Sequence, residues 1–171
     1  MLNKIFNNNP TKEPKVTLKN KALKGYLKSF EIEVFSNDPL TQLNETKAAM
    51  INTLNEQLKE FNGIKYVLSI KIMLKKQKGN AFIYKPVYFN NAALTVINEH
   101  DIVSSINESL EIIEHKISVW MNEGSGWTIV SVDNMYTNLS KCKLLRGSSY
   151  IELPITAMTA LDGVIYVVKI Q

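Results

Sequence analysis

Apolar and polar residues alternate most strictly between Ile64 and Leu74. There Ile64, Tyr66, Leu68, Ile70, Ile72 and Leu74 hold one parity, and Lys65, Val67, Ser69, Lys71 and Met73 hold the other. A period of two marks a strand with one buried face, so the even positions are core. A second alternation sets Tyr26, Phe30, Ile32 and Val34 against Ser29, Glu31 and Glu33, which predicts another half-buried strand. Two segments switch to helical spacing. Leu40, Leu43, Met50, Leu54, Leu58 and Phe61 follow Asp38-Pro39 and stop at Asn62-Gly63. Aspartate is a good N-cap, proline at the first helical position loses no needed N–H, and Asn-Gly is a left-handed terminator. Ile102, Ile106, Leu110, Ile113, Ile117 and Trp120 form the second stripe, entered through Asn98-Glu99-His100-Asp101 and stopped by Gly124 and Gly126.

Between and after these segments the signals are shorter. Lys75 to Asn80 reads as a hairpin loop. The return strand Ala81–Phe89 contains Pro86, which removes a ladder donor, so that strand is expected to be bulged or to have an unpaired side. Asn90 to Ile97 reads as an extended connector. Trp127–Val132 and Met135–Leu139 flank Asp133-Asn134, which predicts a hairpin. Val164–Ile170, after Asp162-Gly163, is a last apolar strand. The resulting class is α+β: a ferredoxin-like βαββαβ antiparallel sheet with two helices on one face and extra C-terminal strands. A different α+β sandwich built from the same elements is the alternative. Residues 1–24 are polar, proline-broken and aperiodic apart from Val16/Leu18, and are expected to be a flexible leader to a single domain over residues 25–171.

Composition narrows the setting. A chain of 171 residues with 45% hydrophobic content suffices for one core. Cys142 is the only cysteine, which excludes an internal disulfide and favours an intracellular location, cytoplasm or nucleus. No apolar run reaches the roughly 20 residues of a bilayer crossing, and no signal-type apolar segment opens the chain, so no membrane association is expected. The net charge is +4, with seven lysines against Glu13 in residues 1–28, a net +6. The remainder then sums to −2, which puts basic character in the leader.

Chemistry-bearing clusters are sparse. A metal site wants several clustered ligands, whereas His100 and His115 are fifteen residues apart and Cys142 is distant from both. Rolling-circle nucleases on this fold class need a His-x-His strand, and the acylphosphatase type needs an arginine-bearing glycine loop after the first strand; Ser36-Asn37-Asp38 supplies neither. Cys142 has no neighbouring histidine to activate it. Gly124-Ser125-Gly126 follows a helix, where carbonyls repel anions, and reads as a C-cap. Arg146-Gly147-Ser148-Ser149 offers a phosphate grip, with a plain turn as the competing reading. No enzymatic activity, metal or cofactor is therefore expected.

Lysines carry the functional expectation. Lys71, Lys75, Lys76, Lys78 and Lys85 surround one hairpin, with Arg146 beyond it. Together they form a candidate surface for sequence-independent contact with DNA or RNA phosphates. A solvated face crossed by Glu–Lys pairs, using Glu31 and Glu33, explains the same charges. Two classes stay open: a non-catalytic nucleic-acid-associated module, and a protein-interaction or assembly domain whose open sheet face, with Val67, Met73 and Phe35, meets itself or another protein.

A set of short motifs bears on this choice. Asp38-Pro39-Leu40-Thr41-Gln42-Leu43-Asn44, Ile83-Tyr84-Lys85, Tyr88-Phe89-Asn90, Trp120 and Glu123-Gly124-Ser125-Gly126-Trp127-Thr128-Ile129 occur in that order. They are followed by Ser131-Val132-Asp133-Asn134, Leu145-Arg146-Gly147-Ser148-Ser149-Tyr150-Ile151 and Leu153-Pro154. In these residues the chain from about Asp38 to Pro154 resembles a segment near the N-terminus of large proteins of polinton (Maverick)-type DNA transposons and related virus-like elements of invertebrates. Cys142 and Leu144 depart from it, standing where similar sequences show an aromatic residue and a proline. The resemblance implies a mobile-element setting with other element-encoded proteins as partners, and no reaction.

Overall fold

The two parities of Ile64–Leu74 meet different surroundings in the computed structural model, which describes residues 13–122 and 126–142. Among them the order is β1 (Val16–Ala22), β2 (Leu27–Ile32), α1 (Pro39–Phe61), β3 (Ile64–Lys78), β4 (Ala81–Asn90), β5 (Leu94–Val96), α2 (Ile102–Asn122) and β6 (Trp127–Lys141). Short 3-10 turns lie at Leu23–Gly25 and Glu99–Asp101. The strands form one six-stranded sheet in the order β1-β2-β6-β3-β4, with β5 also on β3, and every pairing is antiparallel. Two helical crossovers interleave in it. Strands β2 and β3 run parallel with β6 between them, and β4 and β6 run parallel with β3 between them.

The α+β class and the antiparallel sheet with two helices are therefore as expected, but the ferredoxin-like βαββαβ order is not. A strand pair precedes the first helix, and the sheet is larger. The added described strand is N-terminal, and the expected Val164–Ile170 strand lies outside the described residues. Of the expected leader, Val16–Ala22 is an edge strand paired with β2 from Val16↔Ile32 to Ala22↔Leu27. Its apolar content is too thin to show as an alternation. Its order comes instead from the ladder that β2 offers it.

Helix α1 forms where its caps say. The Asp38 carboxylate accepts from Thr41 N at 2.8 Å and from the Thr41 hydroxyl at 2.7 Å, while Asn62 closes α1 at φ 56°. Those hydrogen bonds, the hydroxyl's first, hold the Asp38 carboxyl below its ordinary pKa. Both helices lie on the even face of β3. Tyr66 shares hydrogen bonds with Ser105 and Ser109 of α2, and Gln42 and Thr46 of α1 reach the sulfur of Met135, the cross-strand neighbour of Ile70. Ile64, Leu68, Ile70, Ile72, Leu74, Leu43, Met50, Leu54, Ile102, Ile106 and Ile113 fill the space between the layers. Removing this much apolar surface from water is the main stabilising term.

Polar residues have specific roles in that layer. Gln42 donates to Glu33 O at 3.0 Å and accepts from the N–H groups of Phe35 and Ser36, which ties the exit of β2 to α1. Asn91 replaces a missing ladder rung where the edge breaks between β4 and β5. Its side chain accepts from Leu68 N at 2.7 Å and donates to Ser109 at 2.9 Å, so the expected connector is a strand break bridged by an amide. Lys28, counted with the leader cations from sequence, is instead only 4% exposed. It points toward α1, donating to Gln57 at 2.7 Å and pairing with Glu60, over the Phe61 ring.

The hairpin predicted at Asp133-Asn134 is a bulge in one continuous strand. Lys71 pairs with Asn134 and Ile72 with Val132, which leaves Asp133 unpaired in the ladder. A second irregularity follows, since Met73 faces Ser131 and Leu74 faces Ile129. Each extra residue flips the parity of the side chains, and two flips restore it. Met135, Thr137 and Leu139 are therefore buried below the first bulge, Val132 is buried between the two, and Ile129 and Trp127 face the core again above the second.

Two outcomes follow from this packing. The Thr137 hydroxyl is buried with no hydrogen-bond partner among the described residues, so Thr137→Val removes an unmet polar group at constant shape. It should raise unfolding free energy by about 1 kcal/mol in urea titrations. Asp38→Ala should cost about 1 kcal/mol at pH 7 through the lost cap. Because the folded carboxyl has the lower pKa, its contribution is full above the unfolded value of about 3.9 and fades as pH falls through the folded one. Wild type and variant melts should therefore converge in acid.

Candidate nucleic-acid interface

Strand β3 outruns the helices. Its buried alternation ends at Leu74, and from Gln77 to Pro86 every residue is exposed, so the tips of β3 and β4 form an arm beyond the helical layer. The strand continues through the stretch expected to be a loop, and only Gly79-Asn80 turns, between Lys78 and Ala81. Gly79 takes φ 62°, the conformation a two-residue hairpin needs at its first position. Pro86 faces Met73 without a register shift. It is tolerated because β4 is an edge among the described strands, so of the two outcomes expected from sequence, a bulge or an unpaired side, the second holds there.

Register divides the predicted lysines between two faces. Lys71 and Lys75 lie with Lys65 on the odd face of β3, away from the helices, as expected. Lys76 and Lys78 have the other parity, and Lys85 pairs with buried Leu74, so these three project from the helix side of the arm. The five lysines expected around the hairpin thus occupy the two faces of one basic arm. Arg146 lies outside the described residues.

The charge on this arm is greater than the whole-chain balance suggests. Residues 64–90 contain six lysines and no aspartate or glutamate, a net +6. With +6 also in residues 1–28 and +4 in total, everything else carries −8. Basic character is therefore shared between the leader and the arm, and the −2 of the remainder hid the arm by averaging it with acidic helices and loops. Among the described residues, cancelling charges reach only the arm's base. Asp133, held by Ser131 at 2.9 Å, meets Lys71 at 3.5 Å, and Glu31 is neutralised across the sheet by Lys19, whose pKa rises through that hydrogen bond. Among the described residues, Lys75, Lys76, Lys78 and Lys85 make no ion pair.

Aromatic side chains share the odd face with the lysines, and sequence reasoning missed them. Tyr88 stands opposite Lys71 and Tyr84 opposite Lys75, with Phe82 next in the same row. The Lys71 ammonium lies 5.9 Å from the Tyr88 centroid and that of Lys75 5.6 Å from Phe82. The signal was present as the spacing of 82, 84 and 88, but its face depends on a register that Pro86 obscured. On the opposite face Phe89 meets Trp120 edge-on at 6.4 Å, and Trp120 meets Trp127 at 5.9 Å. These rings anchor the arm's base.

Other chemistry is thin among the described residues. No group of three or more His, Cys, Asp or Glu is placed to hold a metal ion, and no helix is long and apolar enough to cross a membrane. A shallow cleft of about 270 Å³ beside β2 collects Glu31, Glu33 and Asp133 with Lys15. Its carboxylates are already engaged, Glu33 accepting from Lys15 N at 3.1 Å. Comparison with family models, curated proteins and solved structures finds no match.

The asymmetry between the two open-face lysines is measurable. Lys71→Glu sets a carboxylate against Asp133, whereas Lys75→Glu meets no acid. At low salt Lys71→Glu should be less stable than Lys75→Glu by about 0.5–1 kcal/mol, and the gap should shrink in 1 M salt, where the Debye length is about 3 Å.

Proposed function

We propose that this domain is a non-catalytic module that associates with nucleic acid through phosphate contacts on the β3–β4 arm. The observation that carries the reading is the β3–β4 pair: six lysines without one carboxylate, four of which (Lys75, Lys76, Lys78 and Lys85) lie at the end that projects past the helices and make no ion pair among the described residues. Folding alone does not favour a projecting, uncompensated cationic ribbon, since like charges destabilise their own sheet. Polyanions relieve that repulsion and release counterions, which gives affinity without sequence preference. Lysines on both faces let a phosphate chain meet the ribbon from either side. The motif resemblance supports a setting in a mobile-element or virus-like protein, where DNA or RNA is the resident polyanion, inside the cell.

A second reading, docking to another copy or to another element-encoded protein, is favoured by the edges that β1 and β4 form among the described strands and by half-buried Val67 and Met73 on the odd face. Edge strands recruit partners by ladder addition.

The test compares charge removal with edge blocking. Replacing Lys75, Lys76, Lys78 and Lys85 with alanine should weaken DNA or RNA binding at low salt, measured by anisotropy. The log–log salt slope should flatten by roughly one unit for each phosphate that the variant no longer holds. Melting should be unchanged or slightly improved. Unchanged affinity with altered sedimentation would move the assignment to assembly. Because β1 belongs to the sheet, truncation to test the leader should stop at residue 12.

A further inference from the structure

The lysine arm explains phosphate contacts but leaves its aromatic row without a role. Phe82, Tyr84 and Tyr88 expose 56%, 58% and 59% of their surfaces on one face of β4. Three large rings in one row, each more than half in water, form a feature that folding does not require. The core ends at Leu74 and Phe89, and none of the three belongs to it. A strand rise of about 3.4 Å sets Phe82 and Tyr84 about 7 Å apart, and Tyr88 about 14 Å further along.

We infer that this row is a stacking platform for unpaired bases, so that the ligand class of the arm is single-stranded nucleic acid. The inference rests on the phosphate-contact reading above and adds to it the strand state of the ligand. A duplex hides its base faces inside the stack and offers an exposed ring nothing flat to cover. An unpaired strand offers one π-face per nucleotide and a phosphate beside each. Rings and cations alternate at that grain here. Lys75 stands across from Tyr84 and makes no ion pair among the described residues, so a base over that tyrosine has an ammonium beside its phosphate; Lys71, across from Tyr88, is shared with Asp133. The ammonium–ring distances of 5.9 and 5.6 Å lie at the outer limit of a cation–π contact. Those contacts are weak and readily displaced by a base. The ligand's charge is dictated by the same surface, since residues 64–90 present no carboxylate to repel a phosphate chain.

The experiment measures anisotropy of the intact chain with three probes of equal length, about 20 nucleotides: single-stranded oligothymidylate, duplex, and an abasic phosphodiester strand. Oligothymidylate should bind at least about tenfold more tightly than the abasic strand, since each stacked base contributes roughly 5- to 150-fold. Tyr84→Ala/Tyr88→Ala should cut that advantage severalfold, to what Phe82 alone supplies, leaving abasic binding, the salt slope and the melting temperature unchanged. Tyr84→Phe/Tyr88→Phe should keep it, because stacking needs the ring and not the hydroxyl. Equal affinity for all three probes, unaffected by the alanine pair, would overturn the stacking platform and leave the phosphate reading standing. Failure of every probe to bind at low salt would overturn both. A change in sedimentation of the alanine variant without loss of oligothymidylate affinity would assign the row to a protein contact and also overturn it.

Discussion

The pairing of β3 with β6 is the contact on which the other parts depend. Strand β3 runs fifteen residues, and β6 accompanies it along nearly all of that length. The even side chains of β3 form the floor on which both helices sit, and its odd side chains form the open face. Because strand parity admits no intermediate state, one set of residues commits both surfaces together. Its partner cannot match it rung for rung, and β6 absorbs the mismatch in two bulges. The Asp133 bulge places a carboxylate beside Lys71 on the open face, so a device that keeps the core in register also tempers charge at the base of the arm.

Polar groups buried beside this pairing are nearly all answered. Asn91 supplies the rung that is missing between β4 and β5, Gln42 holds the turn into α1, and Tyr66 carries a serine pair from α2. Burial raises the Tyr66 phenol above its ordinary pKa, with the serine hydrogen bonds opposing that shift. The phenol therefore stays neutral and serves as a strut. Lys28 is also a strut to α1: its stem crosses apolar surface, and its ammonium reaches Gln57 and Glu60. Thr137 is the exception, with a hydroxyl that packing has stranded.

The short motifs singled out in the sequence divide between architecture and surface. Asp38-Pro39 and Thr41 build a helix start. Trp120, Trp127 and Phe89 build the aromatic base of the arm. Tyr84, Lys85 and Tyr88 take no part in either, and lie on the arm that carries the charge. A motif set split in this way suits a scaffold whose specialised feature is a ribbon of lysine and aromatic side chains.

Much of the secondary structure was legible in the order of residues, because local physics determines it. The alternation of Ile64–Leu74 placed its core face, the stripes placed both helices, the caps placed the ends of α1, and Pro86 narrowed β4 to a bulge or an unpaired side. What only the tertiary structure decided was pairing. Val16–Ala22 is a strand because β2 lies beside it, and Asp133-Asn134 is a bulge because β3 continues past it. Lys28 is buried because α1 covers it. The lysines 71, 75, 76, 78 and 85 were visible from the start, but their division between two faces was not, since it depends on how far β3 extends before turning. Phe82, Tyr84 and Tyr88 became a row only when that register set them beside Lys71 and Lys75. Sequence spacing specifies which side chains share a face, and hydrogen-bonded register specifies what that face opposes.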